Sequence, residues 1–187
     1  MDAPVTVGDT DQHECTEEAL LAAARQCPEA FAELYLRYLG PVYRYLLART
    51  GDQATAEDLT QETFLRAYRA LDRYQPRGIP VLAWFLRIAR NVAIDAARRA
   101  TAERVRLRLL PSPSFPARET AEDRILVEQL LHGLSPEKRE LLALRFAAGL
   151  STAEIAALLG KREGAIRKQL FRIVRELREA YRAMQTE

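Results

Sequence analysis

The sequence lacks the features that mark membrane-spanning, secreted and disulfide-bonded proteins. None of its apolar runs approaches the roughly 20 residues of a membrane helix, because Arg, Glu or Asp interrupts each of them. The first residues are acidic and have no apolar core, so they do not resemble a secretory signal. Cysteine occurs only at Cys15 and Cys27, which is too little for a disulfide framework. We therefore expect a cytoplasmic protein without membrane insertion.

Lysine is also scarce, with 3 Lys beside 25 Arg, and the formal net charge of the 187 residues is only +2. The charges are unevenly spread along the chain. Residues 1–30 hold seven acids and one Arg, whereas residues 87–118 hold eight Arg and two acids. Acids dominate again over residues 119–140, and residues 161–182 hold eight bases and three acids. Two basic blocks around an acidic one indicate contact with nucleic acid, although arginines that only solvate helix surfaces would give the same pattern.

Glycine and proline number only eight and nine, and most of them separate stretches of helical periodicity. This predicts an all-α protein of two small helical domains joined by a flexible linker. We expect a disordered acidic tail over 1–15, a first domain over 16–99, a basic, proline-bearing linker over 100–118 and a second domain over 119–187. The predicted helices cover about residues 17–26, 28–50 with a break or kink at Gly40-Pro41, 55–69, 81–99, 119–131, 136–147, 152–159 and 163–184.

The segment 151–177 has the pattern of a helix-turn-helix. Ser151 and Glu154 have the spacing of a capping box, Gly160 ends the short first helix, and the second helix is apolar on one side and basic on the others. In this motif the N-terminal part of the second helix enters the major groove, where Arg suits guanine and Gln suits adenine. The alternative is an ordinary helical hairpin with a solvated basic face. The residues expected to contact DNA are Arg162, Glu163, Ala165, Arg167, Lys168, Gln169 and Arg172.

The chain has no pattern typical of an enzyme. It contains no Ser-His-Asp order, P-loop, dinucleotide-binding glycines or paired carboxylates with a His partner. His132 is expected to be a capping or surface residue. His13, Glu14 and Cys15, with the distant Cys27, have irregular spacing in a segment predicted to be disordered, which does not favour a metal site. We expect no catalytic residues, no metal and no cofactor.

Four strings carry a family resemblance. The strings Ala56-Glu-Asp-Leu-Thr-Gln-Glu-Thr-Phe-Leu-Arg-Ala-Tyr68 and Trp84-Phe-Leu-Arg-Ile-Ala-Arg-Asn91, the latter followed by Asp95-Ala-Ala-Arg-Arg99, are similar to the second conserved region of bacterial sigma factors. The segment from Leu134-Ser-Pro through Leu150-Ser-Thr-Ala-Glu-Ile-Ala-Ala-Leu-Leu-Gly160 and the string Gly164-Ala-Ile-Arg-Lys-Gln-Leu170 resemble the fourth region, although Gly164-Ala165-Ile166 stands where that family usually has Gly-Thr-Val. With only these two regions, the chain resembles the extracytoplasmic-function subclass, group 4 of the sigma-70 family.

The resemblance implies a sigma factor that binds core RNA polymerase, melts and reads the minus-ten promoter element with the first domain, and reads the minus-thirty-five element with the second. Promoter opening needs a surface that captures a base flipped out of the duplex. Tyr74 is the candidate for stacking on it, whereas Trp84 has apolar neighbours and is expected in the core. The candidate pocket residues are Asp72, Tyr74, Arg77, Gly78 and Asn91. The candidates for tracking the phosphates of the separated strand are Arg87, Arg90, Arg98 and Arg99.

The resemblance also implies protein partners. The helix at 55–69 would bind the clamp helices of the polymerase, the fourth region would meet the flap of the large subunits, and an anti-sigma factor would hold the protein inactive. The polymerase-binding candidates are Asp58, Gln61, Glu62 and Arg66, which share one helix face that would otherwise be only solvated. The alternative function is an autonomous helix-turn-helix transcriptional regulator whose N-terminal domain dimerises or binds a ligand.

Overall fold

The computed structural model describes residues 17, 19–75, 78–107, 130–131 and 133–184, and every regular element in these ranges is helical. In the first domain, a helical stretch over residues 19–24 lies within the predicted helix 17–26 and precedes α1 (Pro28–Thr50), α2 (Gln53–Ala70), a short 3-10 turn (Leu71–Arg73) and α3 (Val81–Leu107). The second consists of α4 (Pro136–Leu142), which continues as a π-helical turn (Ala143–Ala147), α5 (Thr152–Leu159) and α6 (Glu163–Met184). The predicted all-α class and the helix-turn-helix are confirmed.

The first domain is built around aromatic rings from its three long helices, which pack against one another. Phe85 of α3 is fully buried and lies 5.1 Å from Phe64 of α2 and 5.2 Å from Tyr38 of α1, measured between ring centroids. Such ring pairs add about 0.5–1.5 kcal/mol each to the burial of their apolar area. The aromatic contacts therefore hold α1, α2 and α3 together.

The second domain has an aliphatic core and strong local signals at its helix ends. Leu144, Ile155 and Ile166 are fully buried. The Ser151 side chain accepts the N–H of Glu154, whose carboxylate accepts the N–H of Ser151, which completes the predicted capping box. Gly160 ends α5 in the left-handed region at φ 65°. These signals define where the short helices begin and end.

One helix is continuous where the sequence predicts a break or kink, and another is longer than predicted. Gly40-Pro41 does not break α1, because Val42 and Leu46 beyond it are fully buried and their packing outweighs one lost backbone hydrogen bond. The predicted end of α3 near Arg99 is wrong, since the helix continues to Leu107. Residues 100–107 contain no glycine or proline and several good helix formers, so nothing local ends the helix where the linker was expected. The predicted acidic tail and the remainder of the linker lie outside the described residues.

The two domains contact each other directly. Helix α1 packs on the π-helical turn of the second domain, and α3 packs on α5. Their buried apolar residues form one continuous cluster. In the described residues, the two domains therefore pack against each other through a shared apolar core.

Candidate nucleic-acid and polymerase interfaces

Helix α6 has a buried apolar side and an exposed basic side. Ile166, Leu170 and Ile173 face the core of the second domain, which turns the basic residues outward. The structure places most of the predicted DNA contacts with exposed side chains, and Glu163 alone is half-buried. The exposed ones are Arg162, Ala165, Arg167, Lys168, Gln169 and Arg172.

Glu163 joins the two helices of the motif. Its carboxylate accepts the Thr152 hydroxyl of α5 at 2.8 Å and the Arg167 guanidinium at 2.6 Å. Hydrogen bonds from Thr152 and Arg167 lower the pKa of Glu163 below its usual value. The carboxylate is thus occupied in positioning α6 against α5, which differs from the predicted contact with a base.

Phe171 is a candidate that the sequence reasoning missed. Its ring is 69% exposed and lies in a groove of about 520 Å³ whose other lining residues are all basic. An exposed ring there can contact the methyl group of thymine, while the surrounding cations meet phosphates and guanine. The sequence did hold one signal for its exposure. Phe171 directly follows the buried Leu170, so it lies off the apolar stripe formed by Ile166, Leu170 and Ile173. The groove is lined by Arg167, Lys168, Phe171, Arg172 and Arg175.

An aromatic cleft lies where the loop after α2 meets α3. The rings of Tyr74 and Trp84 lie 4.5 Å apart, and Trp84 also contacts Phe85 at 4.9 Å. Trp84 is half-buried, so it packs against the core as predicted and also forms a wall of the cleft. The guanidinium of Arg25 donates to the Tyr74 carbonyl and holds the loop in place. The cleft has a volume of about 250 Å³ and is lined by Ala70, Arg73, Tyr74, Gln75, Ile79, Trp84 and Arg87.

The cleft gathers only part of the predicted minus-ten set. Tyr74 and Arg87 line it, together with Arg73 and Gln75, which the sequence reasoning missed although they belong to the same loop. Arg77 lies outside the described residues. The members that are exposed but do not line the cleft are Asp72, Gly78, Asn91, Arg98 and Arg99.

Among the arginines predicted to track the phosphates, Arg90 is half-buried, whereas Arg87, Arg98 and Arg99 are exposed. The Nε of Arg90 lies 3.6 Å from the carboxylate of Glu140 in the second domain, so the contact between the domains pairs it with another protein group.

The predicted polymerase-binding face on α2 contains two exposed residues and two that are hydrogen-bonded to each other, one of which also bonds to α3. Asp58 and Gln61 are exposed. Arg66 donates to Glu62 at 2.7 Å and to Asp95 of α3 at 3.0 Å. These hydrogen bonds raise the pKa of the Arg66 guanidinium above its usual value. Asp58 and Gln61 are consequently the members best placed for a partner.

The described residues contain no group of three or more His, Cys, Asp or Glu side chains arranged to hold a metal ion. His13, Glu14 and Cys15 lie outside them. Within the same ranges, no helix combines the length and the apolar character needed to cross a membrane.

Comparison with known proteins decides the family. Residues 34–103 match the family model of sigma-70 region 2, and residues 124–177 match that of sigma-70 region 4. SigL of Mycobacterium tuberculosis, an ECF RNA polymerase sigma factor, is 37% identical over 150 residues, which cover 78% of this chain and 85% of SigL. The chain belongs to the sigma-70 family, in its extracytoplasmic-function (ECF) branch. This membership confirms the sigma-factor prediction over the autonomous regulator.

Two further relatives extend the comparison of this ECF sigma factor. The ECF sigma factor BldN of Streptomyces coelicolor is 40% identical over 159 residues, covering 80% of this chain but only 59% of BldN, so the chain spans less than two thirds of that relative. The sigma factor RpoE, solved in complex with the anti-sigma factor NepR from Bartonella quintana, superposes with a TM-score of 0.67 at 26% identity over 80% of this chain and 94% of RpoE. Both conserved regions thus have counterparts of the same fold.

Proposed function

We propose that this ECF sigma factor binds core RNA polymerase and directs promoter-specific initiation with two separate nucleic-acid surfaces. The observation that carries the proposal is the pairing of an aromatic cleft in region 2 with an exposed basic recognition helix in region 4. The polymerase and the promoter are in the cytoplasm, where we place the protein.

The cleft of region 2 is proposed to take a base flipped from the minus-ten element. A flipped base exposes its Watson–Crick edge, and the Tyr74 and Trp84 rings offer a stacking surface for it. Arg73 and Arg87 at the rim supply positive charge for the adjoining phosphates, and Arg98 and Arg99 continue that charge along α3. Gln75 adds a donor and an acceptor for the edge of the base.

The comparison of Tyr74→Ala, which removes the ring, with Tyr74→Phe, which keeps it, tests this cleft. Because stacking on an aromatic side chain contributes about 1–3 kcal/mol per base, Tyr74→Ala should reduce open-complex formation at least about fivefold. Tyr74→Phe, the matched control, keeps the ring and should retain nearly full opening in a permanganate footprint of the holoenzyme. Equal opening by wild type and Tyr74→Ala would contradict the stacking role.

The recognition helix of region 4 is proposed to read the minus-thirty-five element. Arg167, Lys168 and Gln169 lie in its N-terminal half, where major-groove contacts to bases are made. We expect the double variant Arg167→Ala/Lys168→Ala to weaken holoenzyme binding to the upstream element about tenfold or more while core binding is spared. Arg178→Ala, an exposed arginine further along α6, is the control and should have a much smaller effect. Equal loss of core binding would place the recognition surface elsewhere.

The α2 face is proposed to bind the clamp helices of the polymerase, and region 4 the flap. Asp58→Lys reverses an exposed charge on that face, and Glu57→Lys reverses a neighbouring exposed charge on the adjacent face. Asp58→Lys should lower affinity for core polymerase in a fluorescence-anisotropy titration, and Glu57→Lys should not. Unchanged affinity for Asp58→Lys would remove this face from the interface.

An anti-sigma factor is the proposed protein regulator. The support is the fold shared with RpoE, which was solved in complex with the anti-sigma factor NepR.

A further inference from the structure

The recognition helix begins with a carboxylate that is held from outside the helix. Glu163 is the first residue of α6, and its Oε1 accepts the hydroxyl of Thr152 at 2.8 Å. Thr152 is the first residue of α5, the other helix of the motif. Glu163 is half-buried, and the dipole of α6 favours a negative charge at this end. The position of the carboxylate is therefore fixed by the fold of the helix-turn-helix.

The same oxygen holds one arginine of the recognition surface. Arg167 lies one turn further along α6, and its Nη2 donates to Oε1 of Glu163 at 2.6 Å. Among the described residues, Glu163 is the one hydrogen-bond partner of the Arg167 side chain, which is 71% exposed. A guanidinium has five N–H donors, so this bond leaves four of them for DNA. Glu163 thus restricts the orientation of Arg167 without using up its capacity to bind a base.

A second ion pair in α6 shows what distinguishes this one. Arg175 and Glu179 are also four residues apart, with Nε and Oε1 separated by 3.6 Å, and both side chains are largely exposed. Exposed pairs of this kind contribute little, because two mobile side chains must be ordered together. Glu163 is already anchored by Thr152, so only the arginine has to be ordered. The pair at the start of the helix is therefore the better suited to fix a guanidinium.

Such fixing matters for reading a base and not for attracting DNA. A guanine is recognised when two N–H groups of one guanidinium meet O6 and N7 together, which demands a defined orientation. Ordering a long side chain before binding raises affinity about two- to tenfold. The carboxylate of Glu163 is itself repelled by phosphates, so it adds nothing to binding that is independent of sequence. Any contribution of Glu163 to DNA recognition must come through Arg167.

We propose that Glu163, anchored by Thr152, is a positioning residue that orients Arg167 toward one base pair of the minus-thirty-five element and thereby sets the sequence preference there. The inference rests on the proposed function of region 4 as the reader of that element. It predicts that loss of the carboxylate weakens the preference at one position while removing a charge that opposes DNA binding in general.

Competitive binding of holoenzyme to a promoter library tests the proposal. The full chain with core polymerase is mixed with duplexes randomised in the upstream element, and bound DNA is sequenced. The position read by Arg167 is the one whose preference is lost in Arg167→Ala. At that position Glu163→Ala should reduce the preference about three- to tenfold, and the other positions should stay within about twofold of wild type.

Two matched controls separate orientation from loss of charge. Glu179→Ala removes the carboxylate of the exposed pair in the same helix and should leave every preference unchanged. Thr152→Val removes the anchor but keeps the carboxylate, and it should reduce the preference at the Arg167 position about twofold or more. Thr152→Ser keeps a hydroxyl and should behave as wild type. Rescue by serine would not follow if Thr152 acted only through its methyl group.

A double substitution tests whether Glu163 acts through Arg167. In the Arg167→Ala background, adding Glu163→Ala should change the preference at that position by less than about twofold, because the side chain to be oriented is gone. A further loss as large as that of Glu163→Ala alone would show that Glu163 acts by another route and would overturn the proposal.

The remaining outcomes distinguish this inference from the proposed function. Equal weakening at every position by Glu163→Ala would mean that Glu163 holds the helix as a whole, and no weakening at the Arg167 position would mean that it orients nothing; either result overturns the inference alone. If Glu163→Ala loses helical circular dichroism, Thr152→Val with its serine control decides. A wild-type holoenzyme without preference anywhere in the upstream element overturns the proposed function of region 4 together with the inference.

Discussion

Regions 2 and 4 use their aromatic residues in opposite ways. Region 2 buries Phe64 and Phe85 at the meeting point of three long helices, whereas region 4 leaves Phe146 and Phe171 67% and 69% exposed around an aliphatic core. In region 2 the rings are therefore mainly structural, with Tyr74 and Trp84 as the pair that also reaches a cleft. In region 4 the exposed rings are available to partners.

The regions also differ in what defines their helices. Region 2 also has end signals, at Gly51 and Asp52, but its helices of 18 to 27 residues pack against one another as well. Region 4 relies more on local signals, since α5 has only 8 residues and is bounded by a capping box and a left-handed glycine. Short helices are marginal without such signals and tertiary packing. Core substitutions should therefore affect region 2 most, and end-signal substitutions should affect region 4.

The largest effect is expected from a buried ring compared with an exposed ring of the same type. Phe85→Ala empties a site with no solvent exposure and should lower the free energy of unfolding of region 2 by about 3–5 kcal/mol. Phe171→Ala, its control, should change stability by about 0.5 kcal/mol or less. Urea denaturation followed by circular dichroism measures both. Similar losses for the two variants would break the contrast between the regions.

The next effect concerns the turn of the helix-turn-helix. Gly160 has φ 65° and no heavy atom near an added Cβ, so Gly160→Ala meets only backbone strain and should cost region 4 about 1–2 kcal/mol. Gly164 is helical and equally open, so Gly164→Ala should instead stabilise the fold by about 0.5 kcal/mol. Thermal unfolding distinguishes them by opposite shifts of Tm. Shifts of the same sign would show that the left-handed backbone at Gly160 does not determine how its substitution changes stability.

A somewhat smaller loss is expected at the capping box. Ser151→Ala leaves the N–H of Glu154 without its side-chain acceptor and should cost about 1 kcal/mol. Hydrogen exchange should speed up at the amides of α5 more than at those of α2. Uniform acceleration in both regions would mean that the cap does not act locally.

The smallest effect depends on pH. The pKa of Glu163 is lowered in the fold, so its carboxylate adds stability above the ordinary pKa of 4.5, and that contribution is lost as the pH falls through the folded value. Glu163→Gln should therefore unfold at a slightly lower temperature than wild type at pH 7, and the difference should vanish at low pH. Calorimetry at both pH values checks this, and a difference that grows in acid would reverse the assigned sign.

Local patterns predicted much of the fold. The capping box at Ser151, the glycine at Gly160 and the apolar stripe of α6 act through neighbours in sequence, and the structure confirms all three. The continuation of α3 to Leu107 was missed because the end of a helix depends on packing and on the absence of a stop signal.

The candidate sites were less accessible to sequence reasoning. Tyr74 and Arg87 meet in one cleft, but so do Arg73 and Gln75, and only the path of the loop shows which side chains converge. The partners of Glu140 come from α1 and α3, far away in sequence, and no periodicity relates them. Tertiary proximity of this kind leaves no local pattern.

Run-off sequencing of genomic DNA with the purified chain and core polymerase tests the sigma-factor function most directly. We expect transcripts that begin at a defined distance downstream of two shared sequence elements, with Tyr74→Ala reducing use of the nearer element and Arg167→Ala/Lys168→Ala of the farther one. Transcription that starts at the same positions with and without the chain, or that shares no element, would contradict the function.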